Sequence, residues 1–165
     1  MERLSAANTR FSLNLFKKIN VENSSKNVFY SPISISSALA MVTLGAKGNT
    51  AAQMFQVISH LCIFMVNQIH SSFNKLMSEL NKPGAPYVLS IANRLYGEQS
   101  YQFVEKFLND AKRYYQAGLE EVDFKKKSEA ARVNINKWVE RKTQELLVNA
   151  ALIYKLKSLY DFMHY

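Results

Sequence analysis

Residues 27–54, NVFYSPISISSALAMVTLGAKGNTAAQM, carry more local structural signals than any other part of this chain. Val28–Tyr30 has the β-branched and aromatic side chains that are typical of a short strand. Ser31 and Pro32 come next and predict a helix, because serine is a good N-cap and proline fits the first helical position. The stretch therefore predicts a strand that leads directly into a helix, and nothing in it is typical of a catalytic site.

The same stretch predicts where this helix ends and where the next one begins. Its buried face should be an apolar stripe with helical spacing, formed by Ile35, Ala38, Leu39 and Val42. Gly45 is a suitable C-terminal stop. Thr50 and Gln53 have the spacing of a capping box, in which each side chain bonds to a free backbone N–H near the other. A third helix should then run through Ile58.

Four further apolar stripes predict helices, and two β-rich runs predict strands. The helical stripes are Leu4, Ala7, Phe11, Leu15 and Ile19; Ile69, Phe73, Leu76, Met77 and Leu80; Val104, Phe107, Leu108, Ala111 and Tyr115; and Ala131, Ile135, Trp138 and Val139. The first helix should end near Asn20, and Ser128 should cap the last one. The predicted strands are Tyr87–Tyr96 and Leu119–Phe124. This order predicts an α+β fold with many helices and a partial mixed sheet.

The charge of the chain permits an anionic partner without specifying one. The net charge is +8, from 21 Lys and Arg against 13 Asp and Glu. Residues 125–127 are the only dense basic run, and aromatic residues are not interleaved with the basic ones as in nucleic-acid sites. Lys75 and Lys82 could contact a glycan, but Glu79 lies between them. We therefore expect a solvated basic surface, and weak polyanion binding at most.

The chain has the features of a cytoplasmic protein. Cys62 is the single cysteine, so no internal disulfide can form, and its apolar neighbours favour a buried, inert thiol. Polar residues between Asn8 and Asn14 interrupt the apolar core that a signal peptide requires. The longest continuous apolar run, Leu61–Val66, is far too short to span a membrane. We expect a cytoplasmic location without membrane contact, which leaves unconventional secretion open.

The sequence contains no recognisable catalytic or cofactor motif. His60, His70 and His164 lack the spacing of metal ligands, and no P-loop, G-x-G-x-x-G or G-x-S-x-G motif occurs. Glu120 and Glu121 are adjacent in a predicted strand and should point to opposite faces, so surface charge is favoured over paired acid–base catalysis. We expect no enzyme activity, no cofactor and no bound metal.

Four separated motifs resemble one known family. Residues 27–54 resemble the strand and second helix of the serpins, and residues 92–97, ANRLYG, resemble the serpin A-N-R-L-F/Y-G strand. Tyr115–Ala117 followed by Glu121–Phe124 resembles the Y-x-A…E-V-D-F segment. Residues 135–140, INKWVE, with Thr143, resemble the helix that lies across the main serpin sheet. The agreement runs through about residue 144 and is best with the intracellular, ovalbumin-like branch.

This resemblance implies a fold, a partner and a set of structural residues. Serpins inhibit serine or cysteine proteases once, when an exposed reactive loop is cleaved and inserts as a new strand into the central sheet. Ser31 and Ser34 match the serines of the shutter that lets this sheet open. The inhibitor uses the nucleophile of the protease, so the resemblance implies no catalytic residue in the chain.

Beyond Thr143 the sequence departs from the family. The usual T-x-G-K-I is replaced by Thr143–Leu147, and the following LVNA resembles a sheet strand that arrives too early. Asn149 of that strand could match the shutter asparagine. We expect residues 1–144 to form an N-terminal serpin-like region and residues 145–165 a divergent or truncated tail. The region between Ile58 and Ile69 also departs from the family, because the usual polar loop is short and apolar here.

The departures lower the activity that we expect from these residues. They contain no segment that matches the reactive loop, so the resemblance implies no reactive-centre bond here, an incomplete central sheet and a non-inhibitory chain. The alternative is a truncated or spliced product that binds a partner or a polyanion, if it acts at all. Open strand edges would favour aggregation or self-association.

Overall fold

A computed structural model describes residues 2–22, 25, 27–59, 66–84, 91 and 93–143. Within them lie six helices and two strands: α1 Glu2–Glu22, α2 Pro32–Thr43, α3 Gly48–Ser59, α4 Val66–Leu80, β1 Arg94–Glu98, α5 Glu105–Tyr115, β2 Gly118–Val122 and α6 Ser128–Lys142. The chain divides into two compact units between Glu79 and Leu80. The described helices include none with the length and hydropathy needed to cross a bilayer.

The first unit has a core that α1 to α4 supply. On α1 the predicted stripe is confirmed, since Leu4, Ala7 and Phe11 are buried, although this helix continues to Glu22. On α4 the predicted stripe is also confirmed at its centre. Its buried members, Ile69, Phe73 and Met77, join Ile58 of α3 in the core.

The predicted buried face of α2 is wrong. The residues buried there are Ser36, Ser37, Ala40, Met41 and Thr43, whereas Ala38 is exposed and Ile35, Leu39 and Val42 are half-buried within this unit. The buried hydroxyls donate to backbone carbonyls three residues earlier, from Ser37 to Ser34 at 3.0 Å and from Thr43 to Ala40 at 2.6 Å. With their polar atoms satisfied, small Ser and Thr side chains fit where α1 and α3 approach closely.

Two local predictions in this unit are also wrong. Residues 28–30 form no strand among the described residues, and Phe29 is 95% exposed. Tyr30 instead donates from its hydroxyl to the carbonyl of Ser12 at 2.9 Å. The helix α3 begins at Gly48, so Thr50 lies inside its first turn and not at the N-cap that a capping box requires.

The second unit is built on a β-α-β arrangement. Strands β1 and β2 pair in parallel from Arg94 opposite Gly118 to Glu98 opposite Val122, and α5 connects them. The described pair is thus a partial sheet, purely parallel in the part that the structure describes. The strand predicted over Tyr87–Tyr96 begins here at Arg94, and residues 87–90 and 92 lie outside the described residues.

Helix α6 follows a hydrogen-bonded turn. The carboxylate of Asp123 accepts from the backbone N–H of Lys126 at 2.8 Å, and the N–H of Lys127 donates to the Asp123 carbonyl at 3.0 Å. Lys127 then occupies the N-cap, and no side chain caps the helix. The prediction that Ser128 is the cap is therefore wrong by one residue. On the inward face Ala131 is buried, and Ile135, Trp138 and Val139 are half-buried.

Candidate functional site at the start of the second helix

The start of α2 brings two of the three predicted shutter residues together. Ser31 has extended backbone angles, φ −106° and ψ 105°, and its hydroxyl oxygen accepts from the backbone N–H of Ser34 at 3.4 Å. The hydroxyl of Ser34 donates to the same oxygen at 2.9 Å. The predicted capping role of Ser31 is confirmed. Asn149 lies outside the described residues.

The hydroxyl contacts continue from the surface into the core. Ser31 and Ser34 are exposed, whereas Ser37, one helical turn further on, is fully buried and donates to the Ser34 carbonyl. Beside them the buried hydroxyl of Ser36 donates to the side-chain oxygen of Asn8 in α1 at 2.8 Å. Sequence reasoning missed Ser36 and Ser37; for Ser37 the repeat of serine at every third position from Ser31 was a usable signal, whereas Ser36 had none.

This serine ladder, defined as Ser31, Ser34 and Ser37, is suited to structure and not to nucleophilic chemistry. Its described hydroxyls contact one another and backbone carbonyls, and their hydrogen-bond partners include no imidazole or carboxylate that could act as a base. A serine hydroxyl without such a base is a weak nucleophile. What the geometry does allow is exchange of partners, because each hydroxyl can rotate to donate elsewhere.

A second polar cluster joins the two strands to α6. Glu120 of β2 accepts from the guanidinium of Arg94 on β1 and from the side-chain amide of Asn134 on α6, the latter at 2.6 Å. The guanidinium carbon of Arg94 also lies 5.2 Å from the ring centroid of Trp138. Glu121 is exposed, as expected from strand alternation, so Glu120 and Glu121 do not form a carboxylate pair.

The carboxylate of Glu98 ties the end of β1 to the turn after β2. It accepts from the backbone N–H groups of Phe124 at 2.8 Å, Lys125 at 3.2 Å and Ser100 at 3.2 Å, and the residue is only 8% exposed. Burial by itself raises the pKa of this carboxyl, but the accepted hydrogen bonds outweigh it and lower the pKa below 4.5. Glu98 is therefore ionised at neutral pH, and its carboxylate holds the backbone of residues 100, 124 and 125 in place. We call this arrangement the Glu98 clamp.

Two buried polar atoms of the second unit, the side-chain nitrogen of Asn93 and the side-chain oxygen of Asn136, have no hydrogen-bond partner among the described residues. Burial raises the pKa of the Tyr96 phenol above 10.0 and outweighs the hydrogen bond and the positive charge of Arg94, which lower it. Buried polar atoms in native proteins are nearly always paired, so we expect the partners of the Asn93 and Asn136 atoms to come from residues outside the described ones.

Comparison with protein families and with other proteins gives one consistent result. The family model described as "Serpin (serine protease inhibitor)" matches residues 6–159. A leukocyte elastase inhibitor from Equus caballus is 49% identical over 152 residues, which cover 90% of this chain and 39% of that protein. Serpin B8 from Homo sapiens is 48% identical over 144 residues, which cover 87% of this chain and 38% of that protein.

Solved structures agree with the sequence comparison. Ovalbumin from emu (Dromaius novaehollandiae) superposes with a TM-score of 0.83 at 35% identity, over 92% of this chain and 42% of that one. Cleaved kallistatin complexed with heparin gives 0.80 at 30% identity, over 87% of this chain and 42% of that one. The chain spans 37–39% of the length of the curated relatives that it matches.

Proposed function

The chain belongs to the serpin family, in its ovalbumin-like (clade B) branch, and we propose that it supplies scaffold elements of a protease inhibitor without an inhibitory site of its own. The observation that carries this proposal is the hydrogen bond between the hydroxyls of Ser31 and Ser34 at the start of α2, the two positions that resemble the serines of the serpin shutter. Protease inhibition would then belong to a longer polypeptide that contains this region, and the chain itself would have no catalytic role.

The described connections support the absence of an inhibitory loop in these residues. A protease binds its substrate as an extended segment, so a bait loop must be long and exposed. Of the connections that are described throughout, the longest is residues 99–104, and it is folded back on itself. The N–H of Tyr101 donates to the Glu98 carbonyl at 3.0 Å, and the Lys125 ammonium lies 4.5 Å from the centroid of the Tyr101 ring. Such a connection is too short and too constrained to fill a protease cleft.

The unpaired polar atoms of Asn93 and Asn136 support the scaffold role in a second way. Unpaired buried groups cost free energy, and a longer serpin would offer further strands and loops to pair them.

The names of the relatives do not select a target protease, because relatives with different names match about equally well, from 48% to 51% identity.

The decisive experiment compares this chain with a chimera. In the chimera, residues 1–143 replace the matching part of the leukocyte elastase inhibitor from Sus scrofa, to which the chain is 50% identical over 144 residues. Each protein is incubated with elastase-like, chymotrypsin-like, trypsin-like and cysteine proteases and examined on denaturing gels. We expect no stable higher-mass band with the 165-residue chain and a stable band with the chimera and with the parent inhibitor.

Two outcomes would contradict the proposal. A covalent complex formed by the 165-residue chain would show an inhibitory site that the proposal denies. A chimera that folds but forms no complex would show that these residues do not supply a working scaffold. Within the chimera, Ser34→Ala tests the serine ladder. If Ser34 acts in the shutter, the variant should be cleaved without trapping the protease more often than the unmutated chimera is. If Ser31 is only the N-cap of α2, the ratio of cleaved inhibitor to trapped complex should not change.

Weak polyanion binding is a second candidate, favoured by the net charge of +8 and by the similarity to cleaved kallistatin, whose solved structure is a complex with heparin. We expect retention on a heparin column that ends near 0.15 M salt, because exposed charges are screened at that ionic strength. Retention should weaken further when Lys126 and Lys127, both exposed, are changed to alanine. Lack of retention at low salt would remove this candidate.

Two other expectations remain predictions. In the described sheet β1 and β2 pair only with each other, so each has an edge without a described strand beside it, and self-association through those edges is still proposed. A cytoplasmic location, too, is proposed from the sequence.

A further inference from the structure

The structure assigns Ser128 as a phosphorylation site for a basophilic serine/threonine protein kinase. Ser128 is the first residue of α6 and is exposed, and the three residues before it are the exposed lysines 125–127. The Lys125 ammonium donates to the Ser100 hydroxyl at 2.9 Å, so Lys126 and Lys127 are the two lysines that a kinase would contact. Kinases of this class select substrates through acidic grooves that pair with basic residues on the N-terminal side of the acceptor. The lysines before Ser128 are therefore the residues that such a kinase would recognise.

The acceptor hydroxyl is free to react. Among the described contacts the Ser128 hydroxyl has no hydrogen-bond partner, because the carboxylate that orders the preceding turn, that of Asp123, bonds to the backbone of Lys126. Thr143 provides an internal comparison, since Arg141 and Lys142 precede it. Its hydroxyl is half-buried and donates to the carbonyl of Val139 at 2.9 Å. A kinase that selects only for preceding basic residues would phosphorylate both Ser128 and Thr143. A kinase that also needs an accessible hydroxyl should prefer Ser128.

The first turn of α6, which begins at Ser128, has no side-chain cap, whereas the turn before it is held by hydrogen bonds. Helix α6 lacks a side-chain cap, and its first intrahelical hydrogen bond runs from the Ala131 N–H to the Lys127 carbonyl at 3.0 Å. An uncapped first turn frays more easily than a capped one, so α6 can open from Ser128 onwards. Presenting the preceding lysines in an extended form also requires the hydrogen bonds of Lys126 and Lys127 to Asp123 to break. The clamp of Glu98 on Phe124 and Lys125 holds the preceding part of the turn in place.

The reaction is a simple phosphoryl transfer from ATP. The Ser128 oxygen attacks the γ-phosphorus, the bond from that phosphorus to the β,γ-bridging oxygen breaks, and ADP leaves. The hydroxyl proton passes to the catalytic aspartate of the kinase.

The product should be stabilised by the same helix terminus. The phosphate would carry a charge of about −1.5 to −2 at pH 7, next to the first N–H groups of α6. The N–H groups of residues 128–130 have no described hydrogen-bond partner, and Glu129 bonds to Arg132 and so leaves them free. Phosphorylation would thus supply the cap that the helix lacks.

The test is an in vitro kinase assay on the folded 165-residue chain with ATP and the catalytic domains of two basophilic kinases, cyclic-AMP-dependent kinase and protein kinase C. Mass spectrometry of the digest should place phosphate on Ser128 in preference to Thr143. Ser128→Ala should abolish that phosphopeptide, and changing Lys126 and Lys127 together to alanine should slow its formation about tenfold. The phosphorylated chain should melt about 2–4 °C above the unmodified one.

Absence of phosphate on Ser128 with both kinases would overturn the inference, and so would a rate that is unaffected by loss of the lysines. A melting temperature that falls on phosphorylation would overturn the proposed capping effect. These outcomes do not depend on protease inhibition, so they leave the proposed function to its own test.

Discussion

Ser37→Leu should destabilise the first unit by about 2–3 kcal/mol, the cost of forcing a larger side chain into a closely packed interior. Ser37 is fully buried in α2, a helix that packs with α1 and α3, and its hydroxyl is already satisfied by the Ser34 carbonyl. A leucine there has no space and must push the helices apart. Urea unfolding followed by circular dichroism would measure the loss as a lower midpoint with an unchanged slope.

The neighbouring residue gives a matched control. Ala38 is exposed in this unit, so Ala38→Leu introduces the same side chain at the next position and should change stability by less than about 0.5 kcal/mol. Ser37→Ala should also cost little, since it removes a donor whose acceptor is a helix carbonyl that retains its backbone partner. If Ser37→Leu is tolerated as well as Ala38→Leu, the buried face of α2 described above is incorrect.

Glu98→Gln should lower the melting temperature of the second unit by about 5–10 °C at pH 7. Glutamine has nearly the same shape, but it replaces a carboxylate that accepts three backbone N–H groups with a neutral amide that accepts fewer and more weakly. Glu121→Gln is the control, because Glu121 is exposed on β2. Thermal melts of the three proteins would separate the clamp from a general effect of charge.

The effect of Glu98→Gln should depend on pH in one direction. The pKa of Glu98 is lower in the folded state than the ordinary 4.5, so the ionised clamp contributes fully above about pH 4.5. That contribution is lost as the pH falls through the folded-state pKa, because the carboxyl then takes up a proton. The melting temperatures of the wild-type and Glu98→Gln chains should therefore converge below pH 4.5. A difference that stays constant down to about pH 3 would show that the carboxylate charge is not what holds the turn.

Local sequence signals predicted the helices well and their buried faces less well. The apolar stripe of α1 identified the buried residues because leucine and phenylalanine side chains are stabilised by burial away from water. The same rule failed for α2, where close helix approach selects small side chains and where a helix carbonyl satisfies each serine hydroxyl. The strand predicted at residues 28–30 failed because a strand needs a partner, and no described segment pairs with it.

The candidate site was predictable only where its chemistry is local. Ser31 followed by Pro32 marks an N-cap within two residues, and the structure confirms it. The clamp of Glu98 had no comparable signal, because its partners on the far side of α5 are backbone N–H groups, those of residues 124 and 125, and side-chain identities do not mark such groups in a sequence. Only the parallel pairing of β1 with β2 brings those groups to the carboxylate.

Because of the β-α-β order of the second unit, β1 is synthesised some time before the residues that pair with it. Strand β1 emerges from the ribosome before α5, β2 and the turn at residues 124–125 that completes its clamp. At about 5–20 residues per second, the partners of β1 follow about one to five seconds later. During that interval the nascent β1 cannot pair with β2, and the backbone groups of that edge are exposed to holdase chaperones and to neighbouring nascent chains. Slow codons within α5 would lengthen this interval, and soluble yield from synonymous variants would report it.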